Sequence, residues 1–219
     1  MFQAIMKTGR RFAQADMADL HQEVYKAAGS GTVDTAPRDF VFRDYDCSEG
    51  TGVILRTSKE VRPPQGWSVT RIVPFQPVRA PGEELDFNIR VNAIRNIPNP
   101  VFKGSKRLRG LKRSVYGLYI EGLKAQNPEH WPSREEILDQ SVGDWFRGIA
   151  PTKGFEVSEL YVENGPFFDF YKPDGSRVKF DVYDISGRLQ VTNPEVFAET
   201  LTKGIGSKKA YGCGLLLVR

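Results

Sequence analysis

Histidine and cysteine are almost absent from this chain of 219 residues: His21, His130, Cys47 and Cys213 are all there is. Two cysteines cannot form a disulfide framework and point to a reducing compartment, the cytoplasm. No C-x-x-C, H-x-x-x-H or Glu-x-x-His spacing occurs, so no metal site of that kind, and no cofactor, is expected. No apolar run approaches the roughly 18 residues that span a bilayer, so no membrane partner is expected. The opening stretch MFQAIMKTGRRFAQAD is too polar for a secretory signal. P-loop and RNP1-type motifs are missing as well.

What remains is ordinary globular composition, 40% hydrophobic, 26% charged and 11% aromatic. At about 150 residues per domain the length suits one large domain or two small ones. The net charge is a modest +4, but the excess is local. Lys103, Lys106, Arg107, Arg109, Lys112 and Arg113 fall within eleven acid-free residues, leaving 25 bases against 27 acids elsewhere. Clustered cations of this kind suit a polyanion contact, or else form a solvated loop.

The first half reads as strands around one helix. Strand composition covers residues 2–9. Asp16 opens a helix to about Ala28, with Leu20, Val24 and Ala27 or Ala28 as its apolar stripe and Gly29 ending it. Strands follow at 39–46 and 52–58, joined by a hairpin turn at Cys47–Gly50, then at 70–78 and 84–95. In the last, Leu85, Phe87, Ile89 and Val91 alternate with polar residues. Pro98-Asn99-Pro100 marks the expected joint, dividing the chain into domains 1–98 and 99–219.

In the second half, Ser133 and Glu136 form a capping box for a helix carrying Ile137, Leu138, Val142, Trp145 and Phe146 inward. Strands are expected at 154–164, 166–172 and 176–185, with the hairpin turn Lys172-Pro173-Asp174-Gly175 between the last two. A helix opens at Asn193-Pro194 and ends before Gly204, and a short strand covers 214–218. This element order predicts an α+β fold of two tandem ferredoxin-like (RRM-like) βαββαβ domains with a C-terminal glycine-rich loop.

Few residues suit acid–base chemistry. His130 lies in a loop ahead of a capped helix. His21, at the margin of the apolar stripe, is either a packed structural histidine or the general acid or base of a basic cleft. Asp44 and Asp46 could share a strand face as carboxylates binding Mg²⁺ do, but a polar strand edge running into a turn is the better reading. Residues 203–214 hold four glycines and three lysines. There the amides of Gly204, Gly206 and Ser207 with Lys208 and Lys209 suit close approach to a phosphate. Cys213 reads as a small packing residue.

The ending GIGSKKAYGCGLLLVR resembles the glycine-rich C-terminal motif of the CRISPR repeat-RNA processing endoribonucleases, in particular the CasE branch of type I-E systems. Leu20-His21-Gln22, the run Arg38 to Phe42, the strand Phe87 to Ala93, Trp145-Phe146 and Gly154-Phe155 agree in order. The resemblance implies metal-independent cleavage of precursor CRISPR RNA 3′ of the repeat stem-loop, by 2′-hydroxyl attack, leaving a 2′,3′-cyclic phosphate and a 5′-hydroxyl. It implies retention on the mature CRISPR RNA with other subunits of the Cascade complex. It also makes His21, in the N-terminal domain, the catalytic histidine. Some members carry a tyrosine where this chain has Ala18, so Tyr25, one turn after His21, is a candidate substitute. Lys172, Arg177 and Lys179 flank the hairpin where the family often keeps an assisting cation. The basic segment is then expected on the RNA stem, and Lys208 and Lys209 near the scissile phosphate. The missing tyrosine leaves open a catalytically weak or inactive RNA-binding subunit.

Overall fold

The computed structural model describes residues 1–13, 16–29, 39–103, 106–107 and 110–219, with backbone alone at 102–103 and 106–107. The first sheet contains β1 (Phe2–Lys7), β2 (Phe40–Cys47), β3 (Gly50–Thr57) and β4 (Ser68–Pro74), all antiparallel in the order β2-β3-β1-β4. Helix α1 (Met17–Ala27) packs Leu20, Val24 and Ala27 against this sheet with no exposed surface left on any of them. Asp16 occupies the N-cap position, but its carboxylate accepts from the Ala13 amide at 3.1 Å instead of capping the helix. The turn at Cys47–Gly50 is the expected hairpin, with those two residues opposite each other. Between β3 and β4 the βαββαβ plan calls for a second helix. Ser58–Trp67 forms none, since Pro63 and Pro64 deprive a helix of two donors.

The second sheet contains β5 (Glu84–Val91), β10 (Phe155–Tyr171), β11 (Arg177–Val191) and β12 (Leu217–Val218), in the order β10-β11-β5-β12. Helices α2 (Val115–Gln126), α3 (Arg134–Leu138), α4 (Asp144–Ile149) and α5 (Pro194–Lys203) complete this half. A π-helical turn at Asp139–Gly143 joins α3 to α4, so the expected helix with its Ser133–Glu136 capping box is present as a composite. Between β5 and α2 run short strands: β6 (Ile94–Ile97) pairs with β9 (Leu111–Ser114), and β7 (Phe102–Lys103) with β8 (Lys106–Arg107).

Both four-stranded sheets have the ferredoxin-like order when β5 is counted as the first strand of the second unit. That corrects the expected joint: the change of sheet falls between Pro74 and Glu84, not at residue 98. Alternation in Leu85–Val91 dictates which side is buried but not which sheet the strand joins. Those side chains pack with Phe146, Phe155 and Leu189 in the second core. The expected strand to Arg95 also breaks at Asn92 and Ala93, where the Asn92 amide donates to the Asp181 carbonyl at 2.8 Å.

The β10–β11 hairpin is longer than the sequence suggests. The expected break at Gly165 is a register shift between Asn164 and Phe167, which absorbs Pro166, a residue that has no N–H to donate. Beyond this bulge the hairpin crosses to the first unit. Leu189 and Ile185 near its base lie in the second core, whereas Phe168, Phe170, Val178, Phe180 and Val182 near its tip lie in the first. The tip turn, closed by the Lys172 amide on the Ser176 carbonyl at 2.9 Å, therefore arrives beside α1.

Two polar clusters tie the halves together. Arg56 of β3 is 2% exposed and donates to the carbonyls of Leu216 (2.8 Å) and Leu201 (3.2 Å) and to Gln3 Oε1 (2.8 Å). In the second cluster, Asp184 of β11 accepts from Arg43 at 3.0 Å and from Arg90 at 3.1 Å, and Arg90 also reaches Asp44 at 3.5 Å. Asp44 is thus an ion-pair partner and Asp46 an exposed strand residue, which fits the polar-edge reading of the pair.

Burial raises the Asp44 carboxyl above the ordinary range, against the opposing pull of Arg90. A carboxyl raised by folding stabilises most fully below about pH 4, its unfolded range, and loses that contribution as pH climbs through its folded value. Asp44→Asn should therefore gain stability relative to the parent as pH rises above about 4. Urea midpoints that stay parallel over this range would contradict that assignment.

Candidate active site

One open face of α1 presents Ala18, His21 and Gln22, spaced i, i+3, i+4, because Leu20 and Val24 turn the other face to the core. Opposite them stand Lys172, Pro173 and Asp174 of the hairpin tip, and Tyr211 from the glycine-rich segment closes the cleft. Its volume is about 340 Å³.

The His21 imidazole sits between two phenol rings. Tyr25 meets it edge-on at 5.7 Å between centroids, and Tyr211 lies tilted against it at 5.6 Å. Tyr25 is buried behind His21 and packs edge-on against Phe40 at 5.1 Å, so it backs the imidazole and does not line the cleft. Tyr211 rests on Phe170 (5.1 Å) and Phe180 (5.8 Å), the aromatic pair carried across on the hairpin. Such contacts contribute about 0.5–1.5 kcal/mol each beyond burial, enough to hold one ring orientation.

The glycine-rich segment is built by close backbone packing. Gly204 and Gly214 have φ of +69° and +89°. A Cβ on Gly204 would lie 2.6 Å from the Gly214 carbonyl oxygen, and one on Gly214 2.4 Å from that of Ile205. The Ile205 amide donates to Gly214 at 2.9 Å, and the Gly214 amide to the Arg90 carbonyl at 2.7 Å, pinning the loop to β5. Gly214→Ala should cost about 1–3 kcal/mol through the strained φ and the clash. A thermal midpoint equal to the parent's would show that the loop adapts.

The expected phosphate-contacting residues divide. Gly204 is buried and its amide donates to Thr200 at the end of α5. Ser207 donates to Asn92 Oδ1 at 2.7 Å. Lys209 donates to the carbonyls of Lys203 (2.6 Å) and Gly204 (2.9 Å), where a cation complements the C-terminal end of α5. Gly206 is exposed. Lys208 extends its ammonium over Phe180, 4.8 Å from the ring centroid. Burial holds that ammonium below its ordinary range, and the nearby charges of Lys172 and Lys112 push the same way. Lys172 therefore lines the cleft with His21, and Lys208 lies behind Tyr211 within reach of the Lys172 charge, which favours a polyanion there.

Arg177 and Lys179 do not line the cleft. Arg177 makes two 2.7 Å bonds to Asp169, and Lys179 lies 3.4 Å from the same carboxylate. In the basic segment, Lys112 is exposed on β9 and Arg113 is paired with Glu121. Lys103, Lys106 and Arg107 sit on the β7–β8 pair, of which the backbone alone is described, and Arg109 and Arg38 lie outside the described residues. His130 is exposed between α2 and α3, away from the cleft. Cys213 is fully buried, and burial pushes its thiol up to about 12, as suits a packing residue. In the sequence Tyr211 is one residue of the glycine-rich motif with nothing local to mark it, and its place opposite His21 depends on packing between distant segments.

The profile of the CRISPR-associated protein family matches residues 3–219. The chain belongs to that family. No curated protein matches the sequence. Among solved structures, the CRISPR-associated protein Cas6e of Escherichia coli K-12 is 17% identical with a TM-score of 0.67, over 100% of this chain and 98% of that one. Thermus thermophilus Cse3, bound to an RNA representing a pre-cleavage complex, is 20% identical with a TM-score of 0.68 over all of both chains. A chain of a CRISPR RNA-guided surveillance complex in a pre-nicking state is 13% identical with a TM-score of 0.66, over 100% of this chain and 99% of that one. At these identities the likeness is one of fold, and it agrees with two tandem ferredoxin-like domains. Among the described residues of this family member, no helix is long and apolar enough to cross a membrane.

Proposed function

We propose that this CRISPR-associated protein is an endoribonuclease of CRISPR RNA processing that cuts precursor RNA within the repeat, 3′ of the stem-loop, and stays on the mature CRISPR RNA as a subunit of the cytoplasmic Cascade complex. The observation that carries the reading is the single cleft where His21, Lys172 and Tyr211 meet beside Lys208. Transesterification by a ribose 2′-hydroxyl needs a proton acceptor, a proton donor for the leaving 5′-oxygen, and cations for the oxyanion. His21 moves a proton. Lys172 stabilises the oxyanion, and Lys208 holds a flanking phosphate. Tyr211 orients the imidazole from across the cleft, in place of the tyrosine missing at Ala18 and of the buried Tyr25. Both domains contribute, the first through α1 and the second through the hairpin tip and the glycine-rich loop.

The β7–β9 region, with six cations between Lys103 and Arg113, grips the stem backbone, since an A-form major groove is too narrow to read. The reaction draws on no metal ion, so cleavage persists in chelator. A single 2′-deoxy substitution immediately 5′ of the scissile phosphate should abolish cleavage and leave affinity intact. Cleavage of that substrate would refute the mechanism. Ala18 favours a second reading, an RNA-binding subunit without activity, whose signature is a tight complex with uncut repeat RNA.

A further inference from the structure

A second cleft, of about 270 Å³, lies between α2, the start of α3 and the β10 bulge, and the cleavage chemistry leaves it unused. Its floor is Tyr183, 2% exposed, with its ring 6.3 Å from that of Tyr116. Its outer wall is Phe167, a 50% exposed aromatic on the bulge. Phe167 stands directly opposite Asp181 in the β10–β11 register, so ring and carboxylate share a face. Arg134, the first residue of α3, closes the rim. With its amide oxygen turned to the guanidinium, Asn164 accepts from Arg134 Nε at 2.8 Å and from Nη2, which fixes the plane of the fork. A guanidinium has five donors, so one edge remains for a ligand.

The combination is selective. Aromatic walls take a flat ring, a carboxylate accepts two adjacent N–H groups, and a guanidinium donates to two adjacent acceptors. Guanine alone among the RNA bases offers both, with N1–H and N2–H on one side and O6 and N7 on the other. Adenine presents an acceptor at N1 where the carboxylate needs a donor. The volume lies below that of drug-sized pockets and suits one base. Phe167 is five residues from Lys172 along the hairpin, roughly 17 Å at about 3.3 Å per residue. Phe167 lies on the face of β10 opposite to Phe168 and Phe170, so an RNA that occupies both clefts passes round the hairpin edge.

We propose that this cleft is a guanine pocket that takes one unpaired base of a bound RNA, away from the site of cleavage. It rests on the RNA reading above only for the source of the base. The test uses single-stranded RNA pentamers that differ at the central position, carrying guanine, inosine, adenine or uracil, with binding to the full chain followed by NMR titration. The guanine pentamer should bind at least about fivefold more tightly than the adenine one, with inosine, which lacks the 2-amino group, between them. Phe167→Ala should weaken guanine binding by about fivefold or more, the loss of one stacked base. Asp181→Asn should erase the preference for guanine over adenine and leave the adenine affinity unchanged, an effect that a merely structural role would not produce. Equal affinities for the four RNAs, no binding of any of them, or a guanine preference that survives Asp181→Asn would each overturn the proposal. The pentamers contain neither stem nor repeat, so their failure leaves the cleavage reading standing, and loss of the cleavage reading leaves this result interpretable.

Discussion

Replacing His21 with alanine should lower the rate of repeat-RNA cleavage by about two to four orders of magnitude, the usual contribution of a positioned proton-transfer group. RNA affinity should remain unchanged, because the cations that hold phosphate are elsewhere, on Lys172, Lys208 and the β7–β9 region. The ring lies at the margin of the apolar stripe, with Leu20 and Val24 carrying the core contacts of α1, so the variant should fold. Single-turnover kinetics beside filter binding separates the effects. A variant that cleaves at the parent rate with parent affinity would exclude His21 from the chemistry.

Arg56→Ala should destabilise the protein by about 3–5 kcal/mol, because it strands buried acceptors that have no route to water. The guanidinium bridges β3 to the carbonyls of Leu201 and Leu216 and lies 4.0 Å over the ring of Phe75. Burial lowers it to about 9, which still leaves it charged at neutral pH. Leu201 is in the last turn of α5, whose carbonyls have no partner within the helix. The same substitution removes a link between the two sheets, so the loss should include earlier unfolding of one half. The guanidinium chloride midpoint measures the first effect and hydrogen exchange resolved along the chain the second. A loss below about 1 kcal/mol would show that water replaces the guanidinium.

Much of this architecture was legible from local pattern. The stripe Leu20, Val24, Ala27, the Ser133–Glu136 box and the Lys172–Gly175 turn are encoded within a few residues, and each formed where expected. What escaped depends on pairing at a distance. Nothing within LDFNIRV says that the strand joins β11, 94 residues away at Arg90 and Asp184. Helix α2 was missed because Gly117 and Gly122 and the aromatic and β-branched residues around them blur its periodicity, although Ser114 caps it through the Gly117 amide. In the proposed site, His21 stands out as a candidate through its scarcity and its place on α1, and its catalytic role rests on the resemblance. The reason to propose Lys172 ahead of Arg177 and Lys179 is not legible in sequence, since it turns on the ion pairs to Asp169. Tyr211 is hidden for the same reason as β5: it meets His21, 190 residues earlier, because the C-terminal segment packs on α1 and on the aromatic residues of the hairpin.

The most direct test of the central claim is the chemistry of the ends formed when the protein is incubated with its own repeat RNA in excess chelator. Metal-independent attack by the 2′-hydroxyl predicts a 2′,3′-cyclic phosphate on the upstream fragment, 3′ of the stem-loop, and a 5′-hydroxyl on the downstream one. A 3′-hydroxyl with a 5′-phosphate, or cleavage that stops when chelator is added, would contradict it.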